Sequence, residues 1–382
     1  MPWKVCDAMS LRREFVEFAQ SPEVNFTELC RRYDISRKSG YKWMERYQKS
    51  GVKGLKDRSR RPGRSPRRSP AKLEKAVVTL RGRHPCWGGR KLRRRLLDQG
   101  WPEEQLCAPS TITEILRRHG LLEAPSSSAP SGWKRFEASE PNELWQMDFK
   151  GHFETGEGRC HPLTVLDDRS RFSLNLTACS NEQSKTVQRR LTEVFRCYGL
   201  PWRMLMDNGS PWGSDAQRQY TLLTAWLIRL GIKPSHSRPF HPQTVGKDER
   251  FHRTLKAELV SRRQFRNLDD CQRQFDSWRT VYNFERPHES LGMRTPSAVY
   301  EPSRRSFPET LPPIEYGPED HVRKVDLHAH VSFRGRPVRI GRAFIGEHVA
   351  LRHTTTDGLF DVYYCHYRIR QVNLTTVDSE PE

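Results

Sequence analysis

Two low-complexity segments divide this chain and keep it from folding around a single core. Residues 53–70 read KGLKDRSRRPGRSPRRSP, and residues 124–132 read APSSSAPSG. Segments this rich in Pro, Ser, Gly and Arg bury too little apolar surface to offset the entropy that folding costs. Both are therefore predicted to be linkers, so the remaining sequence must form separate domains.

The composition along the chain predicts four domains joined by three linkers. The first two domains are helical, and the third alternates strand-like with helix-like runs, as in an α/β domain. The last alternates polar and apolar residues between turn signals at Arg334-Gly335 and Asp357-Gly358, which indicates a small β-barrel-like domain. We expect the domains at 1–52, 71–123, 136–300 and 318–382, and the linkers at 53–70, 124–135 and 301–317.

The charge of the chain points to a polyanionic partner. It has 66 Lys and Arg against 46 Asp and Glu in 382 residues, a formal net charge of +20. Phosphate neutralisation with counterion release dominates nucleic-acid affinity, so a chain this basic is suited to DNA or RNA. Solubility alone would be served as well by acidic residues. We therefore expect a nucleic-acid partner and no small-molecule substrate.

We expect neither a membrane span nor a secretion signal. No run approaches the ~20 apolar residues that cross a bilayer, and the start, MPWKVCDAMSLRREF, carries charges where a signal peptide needs apolar residues. The nine cysteines are scattered singly without a CxxC pair, which is typical of reduced thiols in a cytosol. No His and Cys cluster has zinc-finger spacing, so a structural zinc is not expected.

The first domain carries a helix-turn-helix signature. Three short helices are predicted within 11–49, and the third begins at Ser36-Arg37-Lys38 after the turn YDIS. The residues that this helix would turn towards the major groove are Arg37, Lys38, Tyr41, Lys42 and Arg46. A plain helical bundle with a solvated basic face is the alternative. The Arg-rich linker that follows favours DNA, because such linkers often track a minor groove or the phosphate backbone. Its candidate contacts are Arg58, Arg60, Arg61 and Arg64.

The second domain repeats this arrangement. Helices are predicted over 71–82, 90–99 and 110–119, with Ser110 or Thr111 as the cap of the third. The candidate DNA contacts on the third helix are Thr113, Arg117 and Arg118. Two such units in tandem suit a protein that must recognise one extended DNA end.

Two aspartates occupy strand positions where a carboxylate is costly without a partner. In the predicted strand ELWQMDFKGHF the apolar residues form one face, and Asp148 lies on the other. A metal ion is one suitable partner, although a lone buried aspartate is more often satisfied by hydrogen bonds. Asp207 ends the predicted strand PWRMLMD, and functional groups of α/β sheets gather at such strand ends. Asp167 and Asp168 are interpreted as turn formers without a catalytic role.

The angular position of two adjacent acids distinguishes them in the helix predicted from about residue 246. At 100° per residue, with Glu249 at 0°, Arg253 and Lys256 fall at about 40° and 340° on the same face. Asp248 falls at about 260°, inside the apolar stripe. Glu249 is therefore the better metal ligand, and Asp248 is interpreted as an acid that favours the helix N-terminus. The candidate DNA contacts here are Arg250, His252, Arg253 and Lys256, for which a solvated helix surface is the alternative.

At these residues the sequence resembles the integrase-core transposases of bacterial insertion sequences, which are related to retroviral integrases. The matching stretches are LWQMDFKGHF, PLTVLDDRSRF, MLMDNGSPWG, SHSRPFHPQTVGKDERFHRTLKAEL and YNFERPHESLGMRTPSAVY. The chain departs from the superfamily in two respects. Asp207 and Glu249 are 42 positions apart, which is longer than is typical, and the retroviral His/Cys zinc module is absent.

The resemblance implies a ribonuclease-H-like fold with a mixed five-stranded sheet and helices. It also implies a DDE triad at Asp148, Asp207 and Glu249 that holds two Mg²⁺ ions, with Mn²⁺ as a workable substitute. Such oxygen ligands suit hard divalent cations. The implied function is a DNA transposase that binds the terminal inverted repeats of an insertion sequence. It would catalyse metal-dependent 3′-end cleavage and strand transfer into target DNA.

The resemblance also implies where such a protein acts and in what assembly. We expect a bacterial cytoplasmic protein that is associated with the nucleoid through double-stranded DNA. It would be at least a dimer on DNA, because transposition brings two ends together. Two other functions stay open: a non-catalytic regulator derived from a transposase, and a metal nuclease that hydrolyses without joining. The basic C-terminal domain could bind DNA or a second protomer.

Overall fold

The computed structural model describes residues 7–58, 69–122, 137–213, 220–236 and 246–374. The chain forms two compact units, Met1–Arg68 and Ser69–Glu382. Within the described ranges no helix is both long and apolar enough to cross a membrane. Three predicted DNA contacts lie outside the described residues, namely Arg60, Arg61 and Arg64.

The first unit contains a three-helix domain. Helix α1 spans Ala8–Ala19, α2 spans Phe26–Arg32 and α3 spans Arg37–Ser50. The helices are short, so their stability depends on the apolar faces that they bury against one another. The buried side chains that meet between them are Phe15, Val16, Leu29, Cys30, Trp43 and Leu55.

Local hydrogen bonds explain where this domain's helices begin and how it ends. The Asn25 side chain accepts two backbone hydrogen bonds at the start of α2, and the Ser36 side chain accepts one at the start of α3. A 3-10 turn over Gly51–Leu55 carries Leu55 back into the core, where its carbonyl accepts a 2.9 Å hydrogen bond from Arg12. The packed part of the domain therefore continues beyond residue 52.

The second unit begins with another three-helix domain. Helix α4 spans Ala71–Arg83, α5 spans Gly89–Asp98 and α6 spans Pro109–Arg118. Apolar residues at helical spacing meet between them, namely Leu73, Val77, Leu80, Leu92, Leu96, Ile112, Ile115 and Leu116. Helices α5 and α6 cross so closely that a Cβ at Gly89 would lie 2.2 Å from the carbonyl oxygen of Pro109. Glycine is the only residue that fits at this crossing.

A mixed sheet of six strands forms the centre of the next domain. The strands are β1 Leu144–Phe149, β2 Phe153–Thr155, β3 Gly158–Asp167, β4 Ser173–Cys179, β5 Arg203–Met206 and β6 Lys233–His236. Their order is β2-β3-β1-β5-β6, and β4 also pairs with β3. Strand β1 pairs antiparallel with β3 and parallel with β5, and β5 pairs parallel with β6. Strand β1 therefore lies at the change from antiparallel to parallel pairing.

The short strand β2 is additional to the five strands that the sequence predicts. The first predicted strand ends early because Gly151 adopts a φ of +81°, a conformation that favours glycine. The chain then resumes as β2, which pairs antiparallel with β3 and places Phe153 opposite Cys160. The other five strands are present where they are predicted.

Helices cover both faces of this sheet. Those on one face are α7 Ser184–Tyr198 and α8 Leu222–Arg229, and those on the other are α9 Gly246–Glu258 and α10 Leu268–Phe284. Successive side chains of a strand point to opposite faces. Trp145 and Met147 of β1 therefore enter the core beneath α7 and α8. Gln146 and Asp148, between and beyond them, face α9.

The second helical domain rests on α9 and α10. Arg95 of α5 forms an ion pair with Glu285, just after α10, with 2.5 Å between Nη2 and Oε2. Val281 of α10 packs against the core of the helical domain. The Cys86 thiol donates to the carbonyl of Ala257 in α9 at 3.3 Å. These contacts join the two domains within the second unit.

The segment before the C-terminal domain lies along the α/β domain. The backbone N–H of Leu200 donates to the Arg305 carbonyl at 2.7 Å. The Arg305 guanidinium donates to the carbonyls of Leu230 and Gly231 at 3.1 and 2.9 Å, and it stacks over the Trp202 ring. Part of the predicted linker 301–317 is therefore bound to the preceding domain.

The C-terminal domain is β-rich. Its strands are β7 His321–Lys324, β8 His330–Phe333, β9 Arg336–Arg339, β10 His348–His353, β11 Leu359–Tyr364 and β12 Tyr367–Asn373. Four of them form an antiparallel sheet in the order β12-β11-β10-β7, and β8 pairs with β9. Both sheets share one apolar core, which also includes Ala225 and Ile228 of α8. This shared core holds the domain on the α/β domain.

The close crossing of α5 and α6 provides a matched pair of substitutions. In Gly89→Ala the new methyl group overlaps the Pro109 carbonyl, so we expect a destabilisation of about 1–3 kcal/mol. Gly88→Ser is the control, because a Cβ at Gly88 meets nothing within 4 Å and serine caps helices well. Circular dichroism melting of the full chain measures both. A melting curve of Gly89→Ala identical to that of the wild type would contradict the crossing.

Candidate active site

Asp148 and Asp207 lie side by side on neighbouring parallel strands. The register of β1 and β5 pairs Gln146 with Leu205. Asp148 lies two residues beyond this pair on β1, and Asp207 directly follows β5; the two are close enough for the charge of Asp207 to raise the pKa of Asp148. The Asp148 side chain is 26% exposed, and Asp207 is half-buried. Two carboxylates therefore share one opening at the carboxyl end of the parallel strands.

Hydrogen bonds on two sides hold Asp207 in place. Its Oδ1 accepts from the backbone N–H of Gly209 at 3.0 Å, in the turn that follows β5. The ring of His236, at the end of β6, donates from Nδ1 to the Asp207 carbonyl at 2.8 Å. The turn and the neighbouring strand together fix the backbone from which this carboxylate projects.

Helix α9 brings a third carboxylate to the group. Glu249 is exposed in the first turn of α9, and Arg253 and Lys256 are exposed beside it. The apolar stripe of the helix is buried, as its angular pattern predicts. The charges of Asp207 and Glu249 are both close enough to raise the pKa of Asp148. The three acids therefore form one electrostatic group.

The pKa of Asp148 is raised to about 7, first by burial and then by the negative charge of Asp207. In the part of the chain that the structure describes, His252 is the only basic group within 4 Å of this carboxylate. Burial lowers the pKa of His252 to about 4, so its ring is neutral at pH 7. Among the described residues, the immediate surroundings of Asp148 therefore concentrate negative charge.

The contacts of His252 define which of its ring nitrogens carries the hydrogen. The Thr164 hydroxyl donates to the Asp148 carbonyl at 2.9 Å, so it must accept from Nε2 of His252 at 2.8 Å. Nδ1, 3.8 Å from Oδ2 of Asp148, then carries a lone pair. The ring is turned towards Asp148 and is only 13% exposed. The ring is therefore not on a solvated helix surface, which was the alternative to a DNA contact, and the predicted DNA contact of His252 stays a prediction.

Family models match most regions of the chain. An integrase core domain matches residues 138–242 and, in a second model, 230–296. A helix-turn-helix domain matches 11–63, and a homeodomain-like domain matches 39–116. The C-terminal domain of IS481 family transposases matches 320–380. The chain is thus similar to integrase core domains, to helix-turn-helix domains and to the C-terminal domain of IS481 family transposases, each over part of its length. The predicted fold class, with helix-turn-helix domains, an integrase core and a β-rich C-terminal domain, is confirmed.

Individual relatives agree with the resemblance to insertion-sequence transposases. An uncharacterized 39.2 kDa protein of insertion element IS476 from Xanthomonas euvesicatoria is 29% identical over 173 residues, which cover 45% of this chain and 48% of the relative. The transposase InsD of insertion element IS2D from Escherichia coli is 27% identical over 240 residues, 56% of this chain and 73% of the relative. The chain spans about half the length of the first relative. The HTLV-2 integrase catalytic core in complex with magnesium aligns at 17% identity and a TM-score of 0.34, over 43% of this chain and 100% of that one.

The side chains of this integrase core fit a hard divalent cation. Asp148, Asp207 and Glu249 offer only carboxylate oxygens, which are the ligands that Mg²⁺ prefers. In the described ranges no three His, Cys, Asp or Glu side chains already converge as a metal cluster. Glu249 is the exposed member of the three acids.

Asp248 differs from its neighbour Glu249 in burial and in the direction that it faces. Asp248 is fully buried, and among the described residues neither of its carboxylate oxygens has a hydrogen-bond partner. Burial and then the charges of Asp148 and Asp168 raise its pKa well above the usual value. A fully buried acid that faces the core is a poor metal ligand, and the angular argument likewise placed Asp248 inside the apolar stripe.

The integrase core contains buried polar residues that the sequence analysis missed. Asp167 and Asp168 do form the turn after β3, but both are fully buried. Asp167 accepts hydrogen bonds from the backbone and hydroxyl of Ser170, at 2.7 and 2.6 Å. Asp168 accepts from Gln146 and pairs with Lys247 of α9. The one sequence signal for this network was Gln146, a second polar residue on the face of β1 that carries Asp148.

The predicted recognition helix of the first helix-turn-helix domain presents its polar residues at the surface. The exposed members of the predicted set are Arg37, Lys38, Tyr41 and Lys42 of α3, together with Arg58. Arg46 is half-buried. Lys42 and Arg46 both lie over the ring of Trp43, 4.4 and 5.1 Å from its centroid. The core tryptophan thus orients two of the predicted DNA contacts.

The predicted contacts on α6 already have partners within the protein. The Thr113 hydroxyl donates to the Pro109 carbonyl at 2.9 Å and lies at the crossing with α5. Arg118 pairs with the buried Glu74 at 2.8 Å, and Arg117 pairs with an exposed glutamate one turn away. A phosphate would therefore compete with these acids for both arginines.

The raised pKa of Asp148 makes the stability of the metal-free protein depend on pH. The folded state holds this proton more tightly than the unfolded chain, so stability falls as the pH rises from 3.8 to about 7. Asp148→Asn removes the effect. With chelator present, we expect the variant to melt higher than the wild type at pH 8 and equally at pH 4. The difference corresponds to at most about 4 kcal/mol, at ~1.4 kcal/mol per pKa unit. Equal melting temperatures at pH 8 would contradict the shift.

Proposed function

We propose that this protein is a DNA transposase. In this proposal it binds the terminal inverted repeats of an insertion sequence, cleaves their 3′ ends and transfers them into target DNA. The observation that carries the proposal is that Asp148, near the end of β1, and Asp207, just after the adjacent parallel strand β5, are electrostatically coupled in an integrase core. Glu249 begins the helix that covers the same face.

In the proposed reaction Asp148, Asp207 and Glu249 hold two Mg²⁺ ions, for which Mn²⁺ can substitute. Two such ions stabilise the attacking and leaving oxygens of an in-line phosphoryl transfer. The chain's own task is to hold three ionised carboxylates together. Thr164 and His252 support this by fixing the backbone and one side of Asp148. No serine or tyrosine nucleophile is needed, because each step exchanges one phosphate oxygen for another.

The exposed cations of α9 are placed to hold DNA near the cut. Arg250, Arg253 and Lys256 are exposed on the helix that carries Glu249, and such residues neutralise backbone phosphates. His252, whose ring is turned towards Asp148, is proposed as the fourth contact, at the scissile phosphate.

We assign recognition of the DNA ends to the two helix-turn-helix domains. The proposed contacts are Arg37, Lys38, Tyr41, Lys42 and Arg46 in the first domain, Arg58, Arg60, Arg61 and Arg64 after it, and Thr113, Arg117 and Arg118 in the second. Because joining requires two ends, we propose at least a dimer on double-stranded DNA. We place it in the bacterial cytoplasm, with the domain limits of the sequence analysis and the first domain extended to include Leu55.

Metal binding in this proposal must displace the proton that Asp148 retains near neutral pH. Metal affinity therefore rises as the pH increases through about 7, where Asp148 ionises. Calorimetric titration of the full chain with Mg²⁺ at pH 6 and pH 8 measures this. We expect tighter binding at pH 8, and equal affinity at the two pH values would contradict the role of Asp148 as a ligand.

A strand-transfer assay with a pre-cleaved transposon end tests the function itself. We expect wild-type protein with Mg²⁺ to join the end to target DNA. Glu249→Gln should give no joined product and bind the end normally, because it loses a ligand and keeps its shape. Asp269→Asn is the matched control, since Asp269 is also an exposed acid in the first turn of a core helix. It should join at the wild-type rate.

Each other outcome of this assay would indicate a different function or a different third ligand. Hydrolysis of the end without a joined product would indicate a metal nuclease. End binding without either reaction would indicate a regulator. Full joining by Glu249→Gln would exclude Glu249 as the third ligand. Footprinting on the DNA that flanks the gene supplies the end sequences for the assay.

A further inference from the structure

Lys247, the second residue of α9, faces into the protein. Its side chain is 15% exposed, and its ammonium group pairs with the fully buried carboxylate of Asp168. The other cations of this helix that follow it, Arg250, Arg253 and Lys256, are exposed. A cation at a helix N-terminus is opposed by the helix dipole, and burial also removes its hydration. Lys247 therefore depends on Asp168 to remain in this position.

Donors from separate parts of the integrase core converge on Asp168. Its Oδ1 accepts from Nε2 of Gln146 in β1 at 2.7 Å. Its Oδ2 accepts from the backbone N–H of Ala138 at 2.8 Å and from Lys247. The Lys247 ammonium also lies 3.4 Å from the Asp168 carbonyl. A carboxylate held by this many donors is a rigid anchor.

A second link joins β1 to the same turn of α9. Oε1 of Gln146 accepts from the backbone N–H of Asp248 at 3.4 Å. This N–H is one of those that the start of a helix leaves without an intrahelical partner. Gln146 stands two residues before Asp148, and Lys247 and Asp248 immediately precede Glu249. The network thus connects the strand of one proposed ligand with the helix of another.

We propose that Asp168 and Lys247 are positioning residues that fix the first turn of α9 on β1 and so hold Glu249 close to Asp148 and Asp207. This rests on the function proposed above. It distinguishes Lys247 from a DNA contact, because its ammonium group is occupied by Asp168. A general stabilising ion pair would act on the whole domain, whereas this proposal limits the effect to the turn that carries Glu249.

Lys247→Met is the main test, since it keeps the length of the side chain and removes its charge. At saturating pre-cleaved end DNA, we expect the joining rate to fall on the order of 10²-fold, as for a reacting group displaced by ~1 Å. End-DNA affinity should remain at the wild-type value, and Lys247→Arg should recover part of the rate. Lys185→Met is the matched control, because Lys185 is the exposed second residue of α7. It should behave as the wild type.

Two further measurements do not require the reaction. In hydrogen exchange of the full chain, we expect the first turn of α9 to exchange faster in Lys247→Met, with α7 and α10 unchanged. In thermal melting with added Mg²⁺, we expect a smaller Mg²⁺-induced rise in melting temperature than in the wild type. Wild-type protein that responds to Mg²⁺ and joins no DNA would refute the proposed transposase. The positioning role would then be decided by these two measurements.

Asp168→Asn is the second variant, because it keeps the side-chain shape and removes the partner charge of Lys247. Normal exchange in the first turn of α9 and a normal Mg²⁺ response, in either folded variant, would overturn the proposal. A loss of DNA affinity with an unchanged rate at saturation would overturn it too, because Lys247 would then be a DNA contact. Global unfolding of both variants would show that the pair serves folding and would equally overturn a positioning role.

Discussion

The alternation of side chains along β1 is the constraint on which the integrase core depends. Trp145 and Met147 enter the core beneath α7 and α8, whereas Gln146 and Asp148 face α9. A slip of one residue would exchange the two sets, because side chains of a strand alternate between its faces. Two polar groups would then enter an apolar core, and Asp148 would leave its place beside Asp207. The same register therefore secures both the packing of the domain and the position of its carboxylates.

Most elements of the fold could be predicted because their patterns are local. The apolar stripe of α9 and the alternation in β1 each involve residues within one element, and the structure has both. The short strand β2 could not be predicted, since it depends on a single backbone angle at Gly151 and on pairing with β3. The contact of the second helix-turn-helix domain with the integrase core could not be predicted from local patterns either, because its ion pair joins Arg95 and Glu285, which are 190 residues apart.

In the proposed site, too, local patterns indicated some residues, whereas contacts between distant residues could not be predicted. A strand face, a strand end and a helix angle made Asp148, Asp207 and Glu249 candidates, and the family resemblance joined them into a triad that stays a prediction. The contacts of the residues around them were missed because their partners are distant in sequence. Asp168 meets Lys247 across 79 residues, and His252 meets Thr164 across 88. Turn propensity gave Asp168 an adequate local explanation, so nothing in its neighbourhood indicated a buried ion pair.

The contact between the second helix-turn-helix domain and the integrase core has a consequence for the spacing between the recognised DNA sequence and the cut. That domain touches α9 at Ala257, and the same helix carries Glu249 eight residues earlier, roughly 12 Å away along its axis. The ion pair of Arg95 with Glu285 secures the domain on the neighbouring helix. One stiff element therefore links the part assigned to reading with the part assigned to cutting. In the proposed transposase, this rigid link would fix the distance between the recognition domain and the carboxylates. That distance would set the number of base pairs between the recognised sequence and the scissile phosphate.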